Sequence, residues 1–170
     1  MKACIAIIGA GGKTTAMRCL AHRLSAFSVL WTTTTHIVPA GAADCRRRLD
    51  APTAEELRAA LARPGVVCAG VPAGEKFTAL PPAVWAAGCE AADYILCEAD
   101  GAHRLPLKLP RPDEPVLPAE TTHCLAVLGL SALGRPVGQA VHRYALHPAW
   151  AARPDTPVGV AELCACARET

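Results

Sequence analysis

Six apolar residues, Ala3–Ile8, end abruptly in Gly9-Ala10-Gly11-Gly12-Lys13-Thr14-Thr15. A short, continuous apolar run closed by glycines reads as a strand buried in a parallel sheet. From Lys13 to Ser25 the apolar positions Met17, Leu20, Ala21 and Leu24 recur with a helical period. Strand, glycine loop and helix in that order are the context of a phosphate-binding loop. Glycines let backbone N–H groups curl around phosphate oxygens, and the new helix turns its positive end toward the same anion. Lys13 then sits on the outer phosphates and Thr14 offers its hydroxyl to Mg²⁺. The expected nucleotide cradle is Gly9, Ala10, Gly11, Gly12, Lys13, Thr14 and Thr15. The alternative is a strand-to-helix turn with an incidental lysine. The spacing GxxxxGK[ST] would need a glycine where this chain has Ile7, so the loop is two residues shorter.

The rest of the chain alternates in the same way. Val29–Trp31 runs as a second strand into Thr32–Thr35, Val66–Val71 is a third, Tyr94–Cys97 a fourth and His123–Leu130 a fifth. Thr53–Arg63 reads as a helix, with Thr53 as N-cap, Glu56 three residues on as in a capping box, and Gly65 beyond its end. Pro82–Ala92 and Val160–Arg168 are further helices. Strands alternating with helices predict an α/β domain: an open, P-loop-like parallel sheet with helices on both faces, over residues 1–170. Residues 106–118 interrupt the rhythm, because Pro106, Pro110, Pro112, Pro115 and Pro118 oppose both helix and central strand. This segment is expected to be a functional loop.

In open α/β sheets ligands sit beyond the carboxyl ends of the strands. Besides the glycine loop, two polar clusters fall there: Thr32–His36 and Glu98-Ala99-Asp100-Gly101. Either Glu98 or Asp100 is placed to hold Mg²⁺, directly or through water, or else to cap a loop. The threonines offer hydroxyls toward phosphates, and His36 either contacts substrate or metal or caps its loop. Arg46-Arg47-Arg48 reads as a solvated run.

The net charge of +2 is too small to argue for nucleic acid. Nine cysteines without a CxxC pair fit a reducing compartment, with Cys4, Cys68, Cys97 and Cys124 as small core residues on strands. Cys164 and Cys166 lie too close for the usual zinc spacing. No apolar run is long enough to span a membrane, and Ala3–Ile8 is too short for a signal peptide. The expected location is the cytoplasm, with no membrane or nucleic-acid partner.

The glycine loop is similar to the GTxGKTT loop of the Mur ligases, which bind ATP. Over most of its length the chain resembles the YqeC family. The resemblance rests on GAGGKTT at Gly9–Thr15, TTTTHI at Thr32–Ile37, EADGAHRLPLKLP at Glu98–Pro110, DEPVLP at Asp113–Pro118, and His142-Arg143. Where the family pattern has His before Glu-Pro, this chain has Asp113. The resemblance implies a nucleotide-dependent accessory protein for selenium-dependent molybdenum hydroxylases, acting in selenium cofactor assembly or enzyme maturation. It points to Lys13, Thr14, Glu98, Asp100, Lys108 and Glu114. Lys13, Asp100 and Lys108 are the expected catalytic residues, and Thr14, Glu98 and Asp100 the expected metal ligands. The nucleotide is ATP or GTP with Mg²⁺. The other partner is a hydroxylase or its cofactor. A nucleotide-switched escort and a Mur-like ligase forming an acyl phosphate are the alternatives to hydrolysis or to phosphoryl or nucleotidyl transfer. Residues 106–118 are then expected to close over the nucleotide as an accessible lid, with Lys108 reaching an anionic ligand. Family members tend to be longer, so this chain is either a short member or one lacking a C-terminal segment.

Overall fold

A computed structural model describes residues 1–170. The first half runs β1 (Ala3–Gly9), α1 (Lys13–Arg23), β2 (Ser28–Thr33), β3 (His36–Ile37), β4 (Arg47–Asp50) and α2 (Ala54–Leu61). Then come β5 (Gly65–Ala73), β6 (Lys76–Thr78), α3 (Pro82–Ala91) and β7 (Tyr94–Glu98). The remainder runs β8 (Leu107–Lys108), β9 (His123–Val127), α4 (Val137–Ala140), β10 (Val141–His142), α5 (Pro148–Ala152) and α6 (Val160–Glu169). These elements form two compact units.

The first unit comprises residues 1–7, 14–99 and 116–125. Its sheet has the order β3-β6-β5-β2-β7-β1-β9, with β4 also on β5. The pairs β1–β7, β2–β7, β2–β5 and β4–β5 are parallel. The pairs β5–β6 and β3–β6 are antiparallel. The fold is therefore mixed α/β with a mostly parallel sheet. The expectation of an all-parallel sheet misses the hairpin, whose turn is made by Gly74-Glu75 between β5 and β6. Adjacent strands joined by so short a turn have to run antiparallel.

Successive strand residues face opposite sides. On one side Cys4, Leu30, Val67, Ala69, Ile95 and Cys97 pack with Leu57 and Leu61 of α2 and Val84 of α3 in one cluster. The alternate residues Val29, Trp31 and Leu96 are fully buried on the other side. Both faces are covered, which is why the strands read as unbroken apolar runs. The capping box of α2 forms as the sequence implies: Glu56 N–H donates to Thr53 Oγ1 at 3.2 Å, and Thr53 N–H donates to Glu56 Oε2 at 2.8 Å.

Strand β9 corrects one reading. It ends the sheet, and His123, Cys124, Leu125 and Ala126 are exposed, so Cys124 is not a core residue. Cys4, Cys68 and Cys97 are buried as expected. Burial pushes the thiols of Cys68 and Cys97 up to about 12. The Arg46–Arg48 run is exposed, but Arg47 and Arg48 also belong to β4.

The second unit comprises residues 8–13, 100–115 and 126–170. Its core gathers Leu107, Leu109, Ala132, Val137, Ala140, Val141, Trp150, Val158 and Cys166. The two short strands β8 and β10 pair in parallel, placing Leu107 opposite Val141 and Lys108 opposite His142. The prolines around β8 hold it to two residues, as their missing N–H groups dictate. Lys108 nevertheless does not sit on an accessible lid: it is 1% exposed.

Candidate functional site

Two of the loop glycines have different tasks. A Cβ on Gly11, which has φ +72°, would lie 2.4 Å from the Pro106 carbonyl oxygen and 2.5 Å from Gly129 Cα. Backbone packs directly on backbone there, and no other residue fits. Gly12, at φ +144°, would meet only Val127 Cγ1 at 3.5 Å, and it is exposed. Gly11 is therefore a packing glycine, while Gly12 leaves its backbone open to a ligand. At the start of α1 the first-turn N–H groups have no intrahelical acceptor, and Thr14 and Thr15 are exposed beside them.

Lys13 follows these glycines and is only 6% exposed. Its ammonium donates to the Asp100 backbone carbonyl at 2.5 Å and pairs with Asp100 Oδ1. The other carboxylate oxygen of Asp100 accepts the Gly9 N–H at 2.8 Å and Lys108 Nζ at 3.0 Å. Lys108 Nζ also donates to the Gly101 carbonyl at 3.1 Å and to Glu114 Oε2 at 2.7 Å. That completes the three donors of an ammonium group. Arg143 closes the series with a bidentate fork on Glu114, at 2.6 and 2.8 Å.

The result is a line of alternating charge, Lys13–Asp100–Lys108–Glu114–Arg143, lying wholly in the second unit. The Arg143 fork holds the Glu114 carboxyl down to about 2, against burial, which raises it. Burial pushes His142 down to about 4, with the neighbouring Arg143 next in effect. Buried ion networks are seldom optimal for stability, because removing charges from water costs several kcal/mol per ion.

In the first unit Glu98 closes β7 at 8% exposure. Its backbone carbonyl accepts Thr33 Oγ1 at 2.7 Å and Thr34 N–H at 3.1 Å. Thr34 Oγ1 donates to the Val116 carbonyl at 2.6 Å. Thr33 and Thr34 thus give their hydroxyls to the Glu98 and Val116 carbonyls, while Thr32 Oγ1 is buried without a partner. His36 is exposed, on β3 opposite Thr78. A cavity of about 630 Å³ in the same unit is lined by Arg18, His22, Arg23, Asp44 and Arg46, among others. None of the loop or strand-end residues singled out for chemistry lines it.

The residues present fit a magnesium nucleotide. The donor set of Lys13, open first-turn amides and the unobstructed Gly12 backbone suits phosphate oxygens. Thr14 hydroxyl and a carboxylate are hard oxygen donors of the kind Mg²⁺ prefers. Asp100 already accepts from two ammonium groups and an amide. The resemblance singled out Glu114 and His142-Arg143 but not that Arg143 forks on Glu114 or that His103 stacks on His142. These contacts depend on pairing across 29 residues in one case and on ring contact in the other.

A family model described as YqeC protein matches residues 5–145. The chain is 33% identical over 179 aligned positions to an Escherichia coli (strain K12) protein described as uncharacterized protein YqeC. That alignment covers 96% of this chain and 67% of the relative. No solved structure matches the chain.

Proposed function

Because this chain belongs to the YqeC family, we propose that the resemblance extends to its chemistry: it binds a magnesium nucleoside triphosphate, ATP or GTP, through Gly9–Thr15. The bound nucleotide drives an accessory step in selenium cofactor assembly or in maturation of a selenium-dependent molybdenum hydroxylase. The observation that carries the nucleotide reading is Lys13. A lysine held almost fully buried directly behind a glycine loop, its ammonium fixed by Asp100, supports binding of a polyanion. The same network supports nucleotide as a switch. A phosphate competing for the Lys13 ammonium weakens its bond to Asp100, and Asp100 then rebalances against Lys108 and Glu114.

In this reading Lys13 neutralises the outer phosphates, Thr14 with Glu98 or Asp100 holds Mg²⁺, and Asp100 orients the two lysines. The metal would supply charge neutralisation of the phosphates. Titration calorimetry of ATP and GTP, with and without Mg²⁺, tests it. Saturable binding that is metal-dependent and lost in Lys13→Ala supports the reading, and no binding of either nucleotide ends it. Thermal shift gives a second readout, since ligand at one hundred times its dissociation constant stabilises by about 2.7 kcal/mol.

A further inference from the structure

We propose that His142, His103, Arg104 and Arg143 form a second subsite, for a carboxylate or phosphate group of a small molecule other than the nucleotide. If the nucleotide reading holds, this is where the second ligand of that step docks. The subsite itself stands on separate observations.

The His103 and His142 rings stack with centroids 4.5 Å apart at 27°. His142 Nε2 is buried and has no hydrogen-bond partner. An unmet buried polar atom is a standing cost to the fold. Three side-chain-bearing residues at this place also have left-handed backbone: His103 at φ 47°, Arg104 at 62° and Arg143 at 62°. Such conformations are unfavourable for residues that carry a side chain and gather at ligand sites. Several unfavourable features at one place, on residues from two separate loops, point to a ligand that uses them.

The surrounding charge selects the ligand. His142 lies opposite Lys108 on β10 and β8, next to Arg143, with Glu114 and His103 also facing it. Glu114 is engaged by Lys108 and Arg143, Asp100 is engaged by Lys108, Asp113 also acts on Arg143, and Arg104, next in the chain to His103, adds an exposed cation. A divalent metal would meet the same cations and find two imidazoles, and no group of three His, Cys, Asp or Glu side chains stands there to hold it. An oxyanion meets Arg104, Arg143 and an imidazole whose Nε2 donates when it carries the proton. Burial and Arg143 hold the unliganded His142 neutral. A bound anion favours its protonated form, so anion affinity rises as pH falls from 7 toward 5.

Inorganic phosphate is the probe, followed by NMR of the histidine C2–H resonances of the full chain. The expected result is a saturable shift of the His103 and His142 signals, tighter at pH 5.5 than at pH 7.5. His142→Gln and, as a variant at an exposed position, His103→Ala should each weaken binding tenfold or more while the circular dichroism spectrum is kept. The shift should survive in Lys13→Ala, which separates it from phosphate captured by the glycine loop. If ATP binds nowhere but this shift persists, the nucleotide reading falls and the subsite stands. Unmoved His103 and His142 signals at saturating phosphate, or equal affinity in parent and His103→Ala, overturn the proposal.

Discussion

Asp100 holds the Lys13 ammonium twice, with its carboxylate and with its backbone carbonyl, across 87 residues of sequence. A phosphate arriving at the loop competes for that ammonium. Lys13→Ala should therefore weaken nucleotide binding about tenfold to a hundredfold, the range of a charge-assisted hydrogen bond of about 1.5–3 kcal/mol. It should also cost about 1–3 kcal/mol of stability, because Asp100 keeps Lys108 and the Gly9 amide but loses one partner. Calorimetry and urea unfolding on the same variant measure both. Unchanged affinity removes the loop from the mechanism.

The two strand-end carboxylates should separate by phenotype. Glu98→Gln is expected to weaken Mg²⁺-dependent nucleotide binding and leave metal-free binding unchanged. Asp100→Asn should lower the melting temperature without any ligand, because two buried ammonium groups then face a neutral amide. If Asp100→Asn melts like the parent while shifting the Mg²⁺ titration, the roles are reversed.

Lys108→Ala tests the departure from an accessible lid. Asp100 keeps Lys13, but Glu114 loses a buried partner, so the variant should be destabilised by about 3 kcal/mol. Surface lysines typically cost within about 0.5 kcal/mol. A melting curve matching the parent would restore the loop reading.

Acid sensitivity should come in two stages. His142 is held down to about 4, below the ordinary 6.5, so the unfolded chain takes up its proton first. Stability from that group is complete above pH 6.5 and falls as pH drops toward 4. Glu114, held down to about 2, contributes fully above its ordinary 4.5 and loses that contribution as pH falls toward 2. Glu114→Gln should erase the lower stage and His142→Gln the upper one. Urea midpoints measured from pH 7.5 to pH 2 follow both.

The glycines should divide between fold and ligand. Gly11→Ala drives a methyl into the Pro106 carbonyl and Gly129, and should destabilise by several kcal/mol or prevent folding. Gly12→Ala meets only a movable Val127 methyl. It should fold, at a cost of about 1–2 kcal/mol for its left-handed backbone, and bind nucleotide more weakly. Circular dichroism and calorimetry on the pair test this, and a Gly11→Ala variant as stable as the parent would contradict the packing.

What the sequence determined is what neighbouring residues decide among themselves. Period and polarity along Ala3–Ile8, Tyr94–Cys97 and Thr53–Arg63 specify strands and a capped helix, because those signals act over one turn or one pleat. Gly9–Thr15 announces its loop the same way, since the glycines, lysine and helix start are contiguous. Exposure of Cys124 depended on β9 lying at the end of the sheet, and burial of Lys108 on β8 pairing with β10. A proline-rich stretch looks open locally, and only the partners Asp100 and Glu114 make burial of its lysine tolerable. The network from Lys13 to Arg143 likewise belongs to the tertiary structure. Charges this far apart in sequence meet only after folding has removed the water between them, and without each other none of them could stay buried.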